Sequence, residues 1–136
     1  MNEDVRFAEI SRKKNNLWII SLRSVEPSTK QFEDFLNHLY TLYSQNSQLI
    51  LIFDGSRVRY INTKLRKLYA QWMEHYEDMI VSTCIQHIYV SNNLVTNYII
   101  KELFLSQYPP IRFIRVRTID EALKKAFESG NVSYYR

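Results

Sequence analysis

The sequence predicts an α/β domain on a five-stranded mixed, mostly parallel sheet with four helices, in the order β-β-α-β-α-β-α-β-α. Three observations carry this expectation. Short apolar runs alternate along the chain with longer segments of helical periodicity. The strongest run, Leu49 to Phe53, is continuously apolar, as a strand buried on both faces of a parallel sheet requires. Only two glycines and three prolines occur in 136 residues, which leaves little chain for irregular structure.

Val5 to Ser11 reads as a short first strand and Leu17 to Leu22 as a strong second one. The polar turn Lys13-Lys14-Asn15-Asn16 makes the two an antiparallel hairpin. Pro27-Ser28 breaks the chain, and Ser28 with Gln31 forms a capping box for the first helix. In that helix Phe32, Phe35, Leu36, Leu39 and Leu42 recur on one face. Gln48 to Phe53 is the third strand. The second helix opens near Asn62 or Thr63 and runs to about Val81, with an apolar stripe from Leu65 through Tyr69, Trp72 and Tyr76 to Ile80. Cys84 to Val90 is the fourth strand.

Ser91 or Asn92 caps a third helix over 94–107, which Pro109-Pro110 stops. Ile111 to Val116 is the fifth strand. Thr118 and Glu121 make another capping box, and the last helix presents Ile119, Ala122, Leu123 and Ala126 on one face. It ends near Ser129-Gly130, so residues 1–129 form one domain and 130–136 a loose tail. Strands joined through helices imply right-handed crossovers and parallel pairing, with one antiparallel strand from the hairpin.

Composition narrows the function classes. Hydrophobic residues at 46% and charged residues at 24% are ordinary for a soluble globular protein, and the length supports a core without staples. Cys84 is the single cysteine, so neither an internal disulfide nor a cysteine-based metal site can form, and its apolar run marks a buried structural thiol. The acidic start Met1 to Asp4 leads into no long apolar run, and no run reaches membrane-spanning length, so a cytoplasmic protein is expected. His38, His75 and His87 fall in three separate elements without ligand spacing, which argues against a metal. With Gly55 and Gly130 alone the chain cannot build a dinucleotide or Walker-type phosphate loop, and no Gly-x-Ser-x-Gly occurs. The expectation is no enzyme and no cofactor.

The net charge of +4 is concentrated in Arg57, Arg59, Lys64, Arg66 and Lys67, with a second group at Arg112, Arg115 and Arg117. Such groups fit an acidic protein, a phosphate or a solvated basic face, and no nucleic-acid motif accompanies them. Asp54 and Ser56 lie just past the carboxyl end of a central strand, where α/β sheets place ligands. Either they form a recognition loop with Arg57 and Arg59, or they make an ordinary turn in which Gly55 permits positive φ. Thr63, as N-cap or first-turn residue, accepts an N–H bond worth about 1 kcal/mol, or else offers a phosphoryl acceptor beside Lys64 and Arg66. The third helix, with Leu94, Val95, Tyr98, Ile99, Ile100, Leu103, Phe104 and Leu105, is apolar on more than one face. Deeper burial or an exposed partner-binding patch accounts for this. Together with ten tyrosines and seven phenylalanines it favours a homodimer.

The order of elements, with Leu51-Ile52-Phe53-Asp54-Gly55-Ser56 followed by Val58, Ile61, Asn62 and Thr63, resembles the STAS family of small anti-sigma-factor antagonist (SpoIIAA-like) domains. The likeness runs from about Phe7 to Phe127. The family pattern is a hydrophobic strand, Asp-x-Ser, a hydrophobic pair, then Asp-Ser or Asp-Thr opening a helix, with the hydroxyl residue phosphorylated. The resemblance implies a non-enzymatic regulatory domain with a protein partner and makes Thr63 the phospho-acceptor candidate, with Asn62 in place of the usual Asp. Lys64-Leu65 replaces the usual Ser-Gly, so the switch would be active or vestigial. The alternative from another class is a small-ligand or lipid-binding domain with an apolar pocket near the third helix.

Overall fold

Residues 6–106 and 109–134 are described by a computed structural model, with side chains as far as Glu128. The elements are β1 (Ala8–Lys14), β2 (Leu17–Leu22), α1 (Thr29–Ser44), β3 (Leu49–Asp54), α2 (Thr63–His75), α3 (Glu77–Thr83), β4 (Cys84–Val90), α4 (Leu94–Phe104), β5 (Phe113–Val116) and α5 (Ile119–Tyr134). The five strands lie in sequence order, with β1 antiparallel to β2 and all other pairs parallel.

That order decides where the helices go. When each new strand is added on the same side of the last, right-handed crossovers put every connecting helix on one face. Buried residues of α1, α2, α3 and α4 accordingly share one core with Leu49, Leu51 and Phe53 of β3. The alternate residues Ile50 and Ile52 point the other way, into a smaller core closed by Ala122 and Ala126 of α5. The larger core is aromatic at its centre: Phe53 stacks on Tyr89 at 5.1 Å, and the Phe104 ring of α4 lies 5.0 Å from Phe53 and 4.9 Å from Tyr69.

Several boundaries differ from expectation. β1 continues through Lys13 and Lys14, leaving only Asn15-Asn16 for the turn, where Asn15 takes φ 50°, a left-handed conformation asparagine tolerates. The expected start at Val5 lies outside the described residues, as does Gln107, the expected end of the third helix. The long second helix is two, so the helices among the described residues number five: the chain breaks at Tyr76, which ends α2 and begins α3. β5 is confined to Phe113–Val116. α5 runs past Gly130 to Tyr134 rather than ending near Ser129-Gly130. The Ser28–Gln31 capping box forms as expected, with Gln31 N–H donating to Ser28 Oγ at 3.1 Å and Ser28 N–H to Gln31 Oε1 at 2.8 Å. At the start of α5 the Glu121 N–H donates to Thr118 Oγ1, but the Glu121 carboxylate accepts from Arg117 N–H instead of Thr118.

Among the described residues no helix is long and apolar enough to cross a membrane.

Candidate functional site at the carboxyl ends of the strands

β3, β4 and β5 end side by side at Asp54, Val90 and Val116. The loops that leave them, 55–62, 91–93 and 117–118, therefore meet at one end of the sheet. Because the strands never reverse order, no topological switch point opens a crevice here. The surface is made by the loops themselves.

The first loop is held at three points. Asp54 Oδ1 accepts the Ser56 N–H at 3.0 Å, closing a tight turn. Gly55 N–H donates to Val90 O at 2.8 Å, tying the loop to β4. Val58 is fully buried, which leaves Arg57 and Arg59 on either side of it exposed, with Tyr60 56% exposed beyond them. Gly55 does not have a positive φ, contrary to the expected turn chemistry. Its requirement is space: a Cβ there would lie 2.6 Å from Ile100 Cδ1 of α4.

At the start of α2 the cap is Asn62, whose Oδ1 accepts the Lys64 N–H at 2.8 Å. Thr63 is the first helical residue and exposed, and among the described residues its hydroxyl makes no hydrogen bond. The cap role expected for Thr63 thus belongs to its neighbour. Lys64 and Lys67 are exposed. Arg66 is not a free cation: its guanidinium donates to Glu102 Oε1 of α4 at 2.7 Å, bracing the two helices.

The third expected cap is displaced as well. Asn93, not Ser91 or Asn92, caps α4, accepting the Thr96 N–H at 2.9 Å while Thr96 Oγ1 accepts the Asn93 N–H at 3.2 Å. Ser91 Oγ bonds Asn97 Oδ1 across the same turn. α4 divides its apolar residues between two environments. Ile99, Ile100, Leu103, Phe104 and Leu105 are buried, whereas Leu94, Val95 and Tyr98 are 86%, 56% and 63% exposed. An exposed patch, not deeper burial, accounts for its extra apolar face. On its inward side α4 packs against aromatic rings, with Phe104 lying against Phe53, Tyr69 and Tyr89.

Arg115 and Arg117, named above only as a basic group, reach the far side of the same helix start, where they line an open groove with Asn93 and Leu94. The signal that could have found this surface was available: Leu94, Val95 and Tyr98 fall off the helical stripe of Thr96, Ile99, Ile100 and Leu103.

The histidines and the cysteine lie elsewhere. His38 and His75 are exposed. His87 is fully buried in β4, with Nε2 2.7 Å from Tyr43 Oη of α1 and Nδ1 3.1 Å from Tyr89 Oη, and burial lowers its pKa from 6.5 to about 3. Burial pushes the Cys84 thiol up to about 12, consistent with a structural rather than a reactive sulfur. Among the described residues no group of three or more His, Cys, Asp or Glu side chains could hold a metal ion.

No protein-family model matches the sequence, and a comparison with curated proteins finds no match. Among solved structures the chain is similar to the anti-sigma factor antagonist SpoIIAA in its unphosphorylated form, with a TM-score of 0.62 over 89% of this chain and 96% of that one, at 15% identity. The order and pairing of the elements and this similarity agree: the chain has the SpoIIAA-like, STAS-type α/β fold.

Proposed function

We propose that this chain is a non-enzymatic regulatory domain that acts by binding another protein, and that the partner docks on the 55–62 loop and the start of α2. The observation that carries the reading is Thr63, an exposed hydroxyl at the first position of a helix that Asn62 already caps. The fold it shares with a protein described as an anti-sigma factor antagonist supports the same direction.

Thr63 would serve as the switch. Its hydroxyl oxygen attacks the terminal phosphorus of a nucleoside triphosphate held by a partner kinase, loses its proton to a base of that kinase, and the nucleoside diphosphate leaves. The product adds roughly −2 charge to the docking surface. The positive end of the α2 dipole and the exposed Lys64 and Lys67 stabilise it there. Asp54, Ser56, Arg57 and Arg59 belong to the recognition loop in this reading, Asp54 by shaping the turn and the arginines by contact.

Mass spectrometry of the protein from its native cells should find phosphate on Thr63. Thr63→Asp should weaken binding of the partner captured from those cells by about tenfold or more, while Thr63→Ala binds as wild type does. Unmodified Thr63, with both variants binding normally, would remove the switch.

A further inference from the structure

α4 begins as a ridge between two open grooves. On one side Arg57 and Arg59 face Asn93, Leu94 and Val95 across a groove of about 400 Å³. On the other, Arg115 and Arg117 face Asn93 and Leu94 across about 460 Å³. No acidic residue lines either groove, and among the described residues none of the four guanidiniums is in an ion pair.

The crest of the ridge is apolar, with Leu94, Val95 and Tyr98 turned to solvent. It is also rigid. The Asn93–Thr96 capping box and the Ser91–Asn97 bond hold the first turn of α4, so these side chains are presented on a fixed frame rather than on a fraying helix end.

An occupant of this surface has to cover an apolar crest and neutralise arginines on both flanks. A second copy of this chain, laid face to face, would set arginine against arginine with no carboxylate in either groove. A nucleic acid would satisfy the arginines but leave the crest against a charged backbone. A polypeptide that places apolar side chains between carboxylates does both, because each guanidinium offers a planar fork that a carboxylate fits with two hydrogen bonds. We propose that the two grooves flanking the start of α4 bind an acidic segment of a partner protein, its apolar side chains on Leu94, Val95 and Tyr98 and its carboxylates on Arg57, Arg59, Arg115 and Arg117. The inference rests on the reading of this domain as a protein-binding one and names the chemistry of its partner.

Panning a random dodecapeptide display library against the intact protein tests it, with Leu94→Glu and the double variant Arg57→Glu/Arg117→Glu as parallel baits. All three positions are exposed, so both variants should keep the wild-type circular dichroism spectrum and melting temperature. Peptides recovered on the wild type should be rich in Asp and Glu flanking Leu, Ile or Phe. A synthetic peptide of that consensus should bind about tenfold or more weakly to either variant, and more weakly as salt is raised. Recovery without acidic enrichment, or a consensus peptide that binds all three baits alike, would overturn the proposal. So would tighter binding of an oligothymidylate or of phosphatidylglycerol vesicles at the same residues, or a sedimenting dimer that Leu94→Glu dissolves. If Thr63→Asp releases the native partner while Leu94→Glu retains it, the protein-binding reading stands and this groove falls.

Discussion

At residues 62 and 63 two roles that one side chain often combines are held by neighbours. Asn62 Oδ1 takes the Lys64 N–H, and the Thr63 hydroxyl is left over. Asn62→Ala should therefore lower stability by about 0.5–2 kcal/mol, whereas Thr63→Ala should change it by a few tenths at most. Urea denaturation of both variants checks this, and a Thr63→Ala loss equal to that of Asn62→Ala would return the cap to Thr63. A helix start at this place was legible in the sequence; which of two adjacent cap-competent residues does the capping was not, since boundaries read from sequence wander by a residue or two. Gly55 shows a second limit. The turn at Asp54–Ser56 was legible from residue type alone, but the reason for glycine is the Ile100 side chain, which a distant segment brings to within 2.6 Å of the missing Cβ. Local turn rules contain no term for that contact.

Among elements, the apolar stripe of the second helix runs on through Trp72, Tyr76, Met79 and Ile80, so periodicity gives no sign of the break at Tyr76. The Tyr76 ring packs against Tyr40 of α1 at 5.1 Å and Trp72 at 5.3 Å, a tertiary arrangement that joins α2 and α3 at the break. The edge strands β1 and β5 were misplaced by two or three residues, whereas the inner strands β2, β3 and β4 were legible to within a residue because a buried strand is a bounded apolar run. Polar content inside one was harder to interpret: His87 sits on β4 facing α1, fully enclosed, and joins the two elements through Tyr43. This junction gives stability a pH dependence. The native ring stays neutral down to about pH 3, while in the unfolded chain it takes up a proton near 6.5. The facing Tyr43 and Tyr89 hydroxyls, raised by burial, remain neutral throughout. The unfolded state thus binds a proton that the native state refuses between those two values. The stability contributed by the neutral ring is complete above about pH 6.5 and falls by up to about 1.4 kcal/mol per pH unit below it. His87→Gln, which has no titrating group, should be less stable than wild type at pH 7.5, and the gap should narrow as pH falls towards 4.5. Urea melts at several pH values measure it; a gap that does not change with pH would sink the argument.

For the whole molecule, the strand order has an uneven consequence. Among the described residues four helices cover one face of the sheet and α5 alone closes the core on the other. The element order implied a mixed sheet with parallel crossovers, and the single-stripe pattern of the last helix was readable from Ile119, Ala122, Leu123 and Ala126. That this stripe meets Ile50, Ile52, Ile88 and Val90 was not readable, because strands buried on both faces do not say which alternate residues belong to which side. Small residues decide how α5 seats. Ala122 and Ala126 are buried against the sheet, 0% and 2% exposed, and let the helix approach closely enough for Ile119 and Leu123 to pack beside them. Ala122→Leu would place an isobutyl group where the helix meets the strands. Beside four neighbouring helices such a displacement could be shared, but α5 has no companion on its face, so the extra volume lifts the helix itself. The expected loss is about 1–3 kcal/mol, the usual range for overpacking. It should appear as a lower urea midpoint with the slope unchanged. The groove of Arg57, Arg59 and Leu94 should keep its shape at temperatures where the variant stays folded, since those groups stand on the loop after β3 and on α4 rather than on α5. An unchanged midpoint would mean that α5 rides high enough over the sheet to admit a leucine, and that its buried alanines do not set the spacing.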